Sequence, residues 1–215
     1  MKTHLQLVNN ILIRLREREV GTVNETPYSK LISLFINDSK EFVEAAWGWS
    51  ALRETIAINT VNGTHTYTIT ATDSQSTVLD ITNTTSKTFV TYRTANWFKE
   101  SFLDATVSGS PVNYGSAGAD ASGYSQIKLH PVPDAVYALT IDVVQRNGAL
   151  VADGDTLKVP HLPVQTLAYA MALEERGEDG GMSAISAKAL AQNFLSDAIA
   201  LDTQQYPEEL IWEAC

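Results

Sequence analysis

The stretch Val43-Glu44-Ala45-Ala46-Trp47-Gly48-Trp49-Ser50-Ala51-Leu52 is where the residue pattern changes period. Before it, apolar residues recur every three or four positions, the spacing of a helix face. After it they alternate with threonine, the spacing of a strand. Trp47 and Trp49, two of the chain's four tryptophans, flank Gly48 at that boundary. A helix that stops at Gly48 between two large aromatic surfaces reads as a structural joint, a wedge that fixes the angle between a helical layer and a β layer.

Upstream, Thr3 is placed to cap a first helix. Leu5, Val8, Leu12 and Leu15 repeat along it, and Leu7 and Ile11 widen the stripe. It is expected to end between Arg16 and Glu19, where Arg14, Arg16 and Arg18 favour the negative end of the helix dipole. Thr26 followed by Pro27 is a second start signal, because proline loses nothing at the first helical position. Leu31, Leu34, Phe35, Phe42 and Ala46 mark one face of this second helix, and Ile32, Ile36, Val43 and Trp47 the adjoining one. So wide an apolar arc predicts a helix buried on more than one side, at the centre of a bundle.

Downstream, residues 55–61 and 65–70 are strand-like runs joined by Asn62-Gly63, a two-residue hairpin signal. Residues 77–81, 88–92, 126–129 and 137–145 continue the β pattern. Residues 108–125, rich in glycine, serine and alanine, read as a long loop. Helical spacing returns with Pro160 and Pro163 ahead of Val164, Leu167, Ala168 and Met171. A fourth helix carries Ala187, Leu190, Ala191, Phe194, Leu195, Ala198 and Leu201. The order predicts an α+β fold: a four-helix layer of two N-terminal and two C-terminal helices, an inserted antiparallel β domain, and an extended C-terminal tail. The expected divisions are residues 1–50 for helices one and two, 51–159 for the β insert, 160–203 for helices three and four, and 204–215 for the tail.

The chain has 215 residues, 44% hydrophobic and 19% charged, enough for a sizeable core. No apolar run reaches the roughly 18 residues of a membrane span. The N-terminal stretch has no signal-peptide core, since Gln6, Asn9, Asn10 and Arg14 interrupt it, so synthesis in cytoplasm is expected. Cys215, the one cysteine, can form no internal disulfide. A net charge of −10 opposes ordinary nucleic-acid binding, which needs a basic surface, but allows a nucleic acid to pass without being held.

A search for chemistry yields no catalytic, cofactor or metal residues. His4, His65, His130 and His161 lack metal-ligand spacing, and no Cys/His pair builds a zinc site. Gly115-Ser116-Ala117-Gly118 is not a nucleophile elbow. Glu174, Glu175, Glu178 and Asp179 lack the alternation of a calcium loop and read as surface charge. The tail differs: it joins Glu208, Glu209 and Glu213 to Tyr206, Leu210, Ile211 and Trp212, the composition of a segment that docks on a partner or folds back on its own core.

Three stretches resemble the head-to-tail adaptor proteins of tailed bacteriophages, tail tubular protein A-like. They are Leu7-Val8-Asn9-Asn10-Ile11-Leu12-Ile13-Arg14-Leu15 with Glu17 and Val20, the helix end at Trp47-Gly48-Trp49, and Val132-Pro133-Asp134-Ala135-Val136-Tyr137-Ala138-Leu139 followed by Leu162-Pro163 opening a helix. One departure is Arg16, which stands where the family usually has glycine. The resemblance implies a non-enzymatic virion protein that forms a ring, commonly of twelve subunits. It implies as partners the portal protein, engaged by the tail residues Tyr206, Leu210, Ile211 and Trp212, and the next tail component, a nozzle, tail tube or stopper. DNA would pass through the lumen. The alternative is a carbohydrate- or receptor-binding module of a virion, drawn from the threonine-rich strands and from Tyr67, Tyr92, Trp97 and Tyr114.

Overall fold

Thr3 and Thr26 start the first two helices through reciprocal bonds with the residues three positions on. The Thr3 hydroxyl accepts from the Gln6 amide and the Gln6 side chain accepts from the Thr3 amide, opening α1 (His4–Arg14). Thr26 and Ser29 do the same for α2 (Pro27–Ala46). These elements belong to a computed structural model that describes residues 1–70, 75–103, 107–177 and 182–205. The chain divides into two compact units, Met1–Leu52 with the chain from Asn147 on, and Arg53–Arg146. The class is α+β, with five α-helices and one curled mixed sheet among the described residues.

In the helical unit, α1 buries Leu7, Val8, Ile11 and Leu12 of the Leu7–Leu15 stretch, while Ile13 is exposed. Asn9 serves the backbone instead: its amide group donates to the Val20 carbonyl and accepts from the Val20 N–H, both at 3.0 Å. Arg16 does not lengthen the helix. It takes the left-handed conformation at φ 59°, where glycine is the unstrained residue, and the Arg16 and Glu17 amides close back on Ile13 and Leu12.

α2 departs from its expected place. It buries Ile32, Ile36 and Val43 with Ser29, Ser39, Lys40 and Glu44, whereas Leu34 is 59% and Phe42 52% exposed. Among the described residues, only one side is covered. Polar residues take the other core positions because they have partners there. Lys40 donates to Glu44 Oε2 at 3.0 Å and to the Asn147 carbonyl at 2.7 Å, with Glu44 Oε1 also 3.0 Å from its ammonium as an ion-pair contact. Ser29 donates to the Val23 carbonyl.

α4 (His161–Arg176) ends on Gly177 at φ 63°, and α5 (Met182–Thr203) packs along it. Many of the residues they bury are small, Ala168, Ala170 and Ala172 on α4 and Ala184, Ala187 and Ala191 on α5, which suits close approach of packed helices. α4 also packs on α1 and α2. Residues 147–159, which patterning grouped with the β insert, bind to these helices. The Leu150 N–H and carbonyl engage the Asn37 amide, Asp153 accepts from the Val23 N–H, and Thr156 bridges Thr3.

The second unit holds β1 (Arg53–Asn59), β2 (Thr66–Thr68), β3 (Thr77–Asn83), β4 (Thr88–Tyr92), β5 (Asn113–Ala119), β6 (Ser125–His130) and β7 (Ala138–Val144) in the order β1-β7-β3-β4-β5-β6-β2. Asn62-Gly63 does turn the chain, with Gly63 at φ 79°, but it makes no hairpin. β1 pairs with β7 and β2 with β6. Thr60 and the Tyr67 hydroxyl hold the connection: Thr60 bonds the backbone of Ala135 and Tyr137, and Tyr67 that of Val61 and Thr64. Seven flat strands would set the edges about 29 Å apart at about 4.8 Å per neighbour. Residues 59 to 66 reach at most about 25 Å, so the sheet must curl around its core of Ile69, Ile81, Val90, Ile127, Leu129, Leu139 and Ile141.

The sheet is not wholly antiparallel as expected, because β4 and β5 run parallel. Nor are residues 108–125 a loop. β5 occupies Asn113–Ala119 between β4 and β6. Its small residues meet packing and bulge requirements that hide the strand period. A Cβ on Gly115 would lie 2.5 Å from the Phe98 ring of α3 (Ala95–Ser101), a helix not anticipated from the sequence. Gly118, at φ 91°, sits where the register shifts by a bulge. Asp120 then accepts from the Ser122 and Tyr124 amides to form the turn into β6.

Three substitutions probe these contacts by chemical denaturation. Gly115→Ala should cost about 1–3 kcal/mol by overpacking, while Gly148→Ala, with open space around the new Cβ, should change little. Arg16→Gly should stabilise by about 1 kcal/mol, the left-handed strain of a side-chain-bearing residue; a loss would show that Arg16 is not strained. Lys40→Met should cost about 3–5 kcal/mol, since it strands a buried carboxylate.

Candidate functional site

The stretch expected from the sequence to act as a joint comprises the end of α2 and a single 3-10 turn (Ser50–Leu52), and its hydrogen bonds reach the last turn of α5. Trp49 is 1% exposed and its indole N–H donates to the Val43 carbonyl at 2.8 Å. Trp47 keeps part of its ring in solvent, and its indole N–H donates to Asp202 at 3.0 Å. The Ser50 N–H and hydroxyl complete the cradle around the Asp202 carboxylate. A carboxylate at a helix C-terminus opposes the dipole, and three directed donors offset that cost. These bonds tie Trp47 and Ser50 to α5, a partner that the spacing of the tryptophans alone could not reveal, while Trp49 is held by α2.

Beside Trp49 lies a groove of about 570 Å³. Its walls are largely apolar and include Val159, Leu162, Phe194 and Leu201, with Leu201 65% exposed. Lys2, Lys158 and His161 also line it. The tail residues Tyr206, Leu210, Ile211 and Trp212 lie outside the described residues, as do Glu178 and Asp179.

The four histidines stay apart in role. His4 is buried, with Nε2 2.9 Å from the Ser33 hydroxyl. Burial pushes its pKa below the ordinary value, with the Ala152 carbonyl and Asp155 opposing. His130 packs edge-on to Trp97 at 5.1 Å and near Phe102 at 5.7 Å, and burial lowers its pKa too. His161 is lowered by burial and then by Lys2. His65 lies against Phe102. Among the described residues, no group of three histidines, cysteines or acids could hold a metal ion. Glu174 is paired with Lys188 as exposed surface charges, and Glu17 with the largely covered Arg176.

Of the aromatics proposed for carbohydrate, Tyr92 and Tyr114 meet edge-to-face at 5.5 Å beside a cavity of about 220 Å³. Tyr67 is spent on its own turn, and Trp97 lies under Arg93 in the α3 cluster. The four do not form one platform. No helix among the described residues is long and apolar enough to cross a membrane.

The joint and the histidines each have a measurable signature. Trp49→Ala should cost about 3–5 kcal/mol, and Trp47→Phe about 1 kcal/mol for one lost hydrogen bond, both read from urea unfolding. Folding takes up His4, His130 and His161 with lowered pKa values. The unfolded chain therefore binds more protons as pH falls below the ordinary histidine value of 6.5. Stability is full above that pH and declines below it. The unfolding midpoint should drop between pH about 7 and about 5, and His4→Gln should flatten part of the slope; an unchanged slope would contradict the assignment.

The family described as SU10 adaptor protein has a model that matches residues 2–210. No curated protein matches the chain. The match takes in α1 with Asn9, the Trp47-Gly48-Trp49 turn, the curled sheet, and α4 and α5. It agrees with the resemblance of those same stretches to head-to-tail adaptors of tailed bacteriophages. The chain therefore belongs to the SU10 adaptor protein family, as a structural adaptor of a phage virion.

Proposed function

We propose that this chain forms a ring, of twelve copies, between the portal protein and the next component of the tail, with DNA passing through its lumen. The observation that carries the reading is the adaptor-family match over residues 2–210. α1, α2, α4 and α5 make the helical layer of each subunit, and Trp47 and Trp49 serve as its structural joint where the chain leaves that layer. The apolar faces left open on the lone chain supply contacts between copies: Leu34 and Phe42 on α2, and Ile185 and Leu190 on α5. A net charge of −10 keeps DNA from adhering to the channel. Tyr206, Leu210, Ile211 and Trp212 contact the portal, as aromatic and aliphatic anchors do at protein interfaces. The protein is made in the host cytoplasm, resides at the head–tail junction, and carries out no catalytic step and needs no cofactor.

The reading is tested by mixing the purified chain with its portal protein and imaging the product by cryo-electron microscopy. Rings stacked on portal are expected. Leu34→Asp with Phe42→Asp should leave the unfolding midpoint within about 0.5 kcal/mol, as exposed positions do, yet abolish the rings. Removing residues 206–215 should abolish docking. A chain that stays monomeric and ignores portal overturns the proposal, and docking that survives the truncation overturns the role of the tail.

A further inference from the structure

We propose that the groove beside Trp49 is the seat of the chain's own residues 208–213 when no partner holds them. The inference concerns the free chain and stands apart from the portal reading. It rests on three features of the groove.

The first is its shape and lining. A cavity of about 570 Å³, open to solvent and walled by Trp49, Val159, Leu162, Phe194 and Leu201, matches the mostly apolar pockets that bury a compact ligand. Leu162 is 43% and Leu201 65% exposed, so the walls have apolar surface that nothing in the described chain covers. Leu210, Ile211 and Trp212 offer side chains of the matching kind.

The second is position. Gln205, the last described residue, itself lines the groove. The three anchors come five to seven residues later, within about 17–25 Å of extended chain. The segment starts at the place it would fill, so closing the loop costs little entropy.

The third is charge. The chain is strongly acidic, yet Lys2 and Lys158 line this groove. Of the two carboxylates on the wall, Asp202 is engaged by Trp47 and Ser50, which leaves Asp197 to oppose an acidic visitor. Residues 208–213 carry Glu208, Glu209 and Glu213 around the apolar trio and no cation. An acidic segment with an apolar centre complements an apolar trough with lysines beside it.

Cys215, the only cysteine, lies three residues beyond Trp212 and allows the full chain to be tested without alteration. A benzophenone maleimide attached there is irradiated, and the adducts are mapped by mass spectrometry. Intramolecular crosslinks to residues 158–163 and 194–205 are expected in the product of single-chain mass. Leu210→Asp with Trp212→Asp should lower their yield about tenfold. Leu201→Asp, at an exposed wall position, should do the same while leaving the unfolding midpoint unchanged. Crosslinked dimers would assign the groove to the segment of a second copy and overturn the proposal. Adducts confined to other surfaces, or a yield that ignores the substitutions, would also overturn it. No portal protein is present in the experiment, so its outcome does not depend on whether portal docking is correct.

Discussion

The helical unit depends on the chain finding α2 again at Asn147. It leaves that unit after Leu52 and must come back to the same core. The contact that receives it is buried and charged: the Lys40 ammonium holds both Glu44 and the Asn147 carbonyl. An ammonium taken out of water needs nearly all its hydrogen bonds, so the returning chain has one favourable alignment. Asn37 reads the backbone at Leu150 and Asp153 receives Val23, fixing the alignment along α2 and the connector before it. α1, α4 and α5 can then close around a placed chain. Hydrophobic burial supplies most of the drive, and these polar contacts decide which packing it drives toward.

A second constraint governs the β unit, where a short connection joins the two outermost strands. Thr60 and Tyr67 turn residues 60–65 across an open end of the sheet and force it to curl. The parallel β4–β5 pair arises from the same geometry, because the chain passes through α3 between those strands rather than through a tight turn. Gly115 lets α3 lie against β5.

Local signals were legible in the sequence, and long-range ones were not. Thr3 and Thr26 with Pro27 act within one helical turn, so their meaning is carried by their neighbours. The period change at Trp47 marked the end of α2 for the same reason. Asn62-Gly63 misled because a turn signal specifies a turn and not which strands pair on either side of it. β5 was hidden because its glycines answer to Phe98 and to a bulge, neither of which lies nearby in sequence. The width of α2's apolar arc was read correctly as composition and wrongly as burial, since apolar surface on one chain does not say which chain covers it. Within the joint, Trp47 and Trp49 could be chosen from the sequence, but Asp202 could not; a buried acid late in a helix gives no local sign of its donors.

Arg53 pairs with Val144 at the junction of β1 and β7, so the β unit begins and ends side by side. To the helices, residues 53–146 therefore act as a short staple and not as a long tether. A free loop of that length would cost of order 3 kcal/mol more to close than a loop of a few residues. Once its terminal strands have zipped together, the insert removes that cost and becomes interchangeable in principle: any module with adjacent ends could occupy the place. Such a replacement would leave the helices, the groove and the Trp47–Trp49 turn as they are.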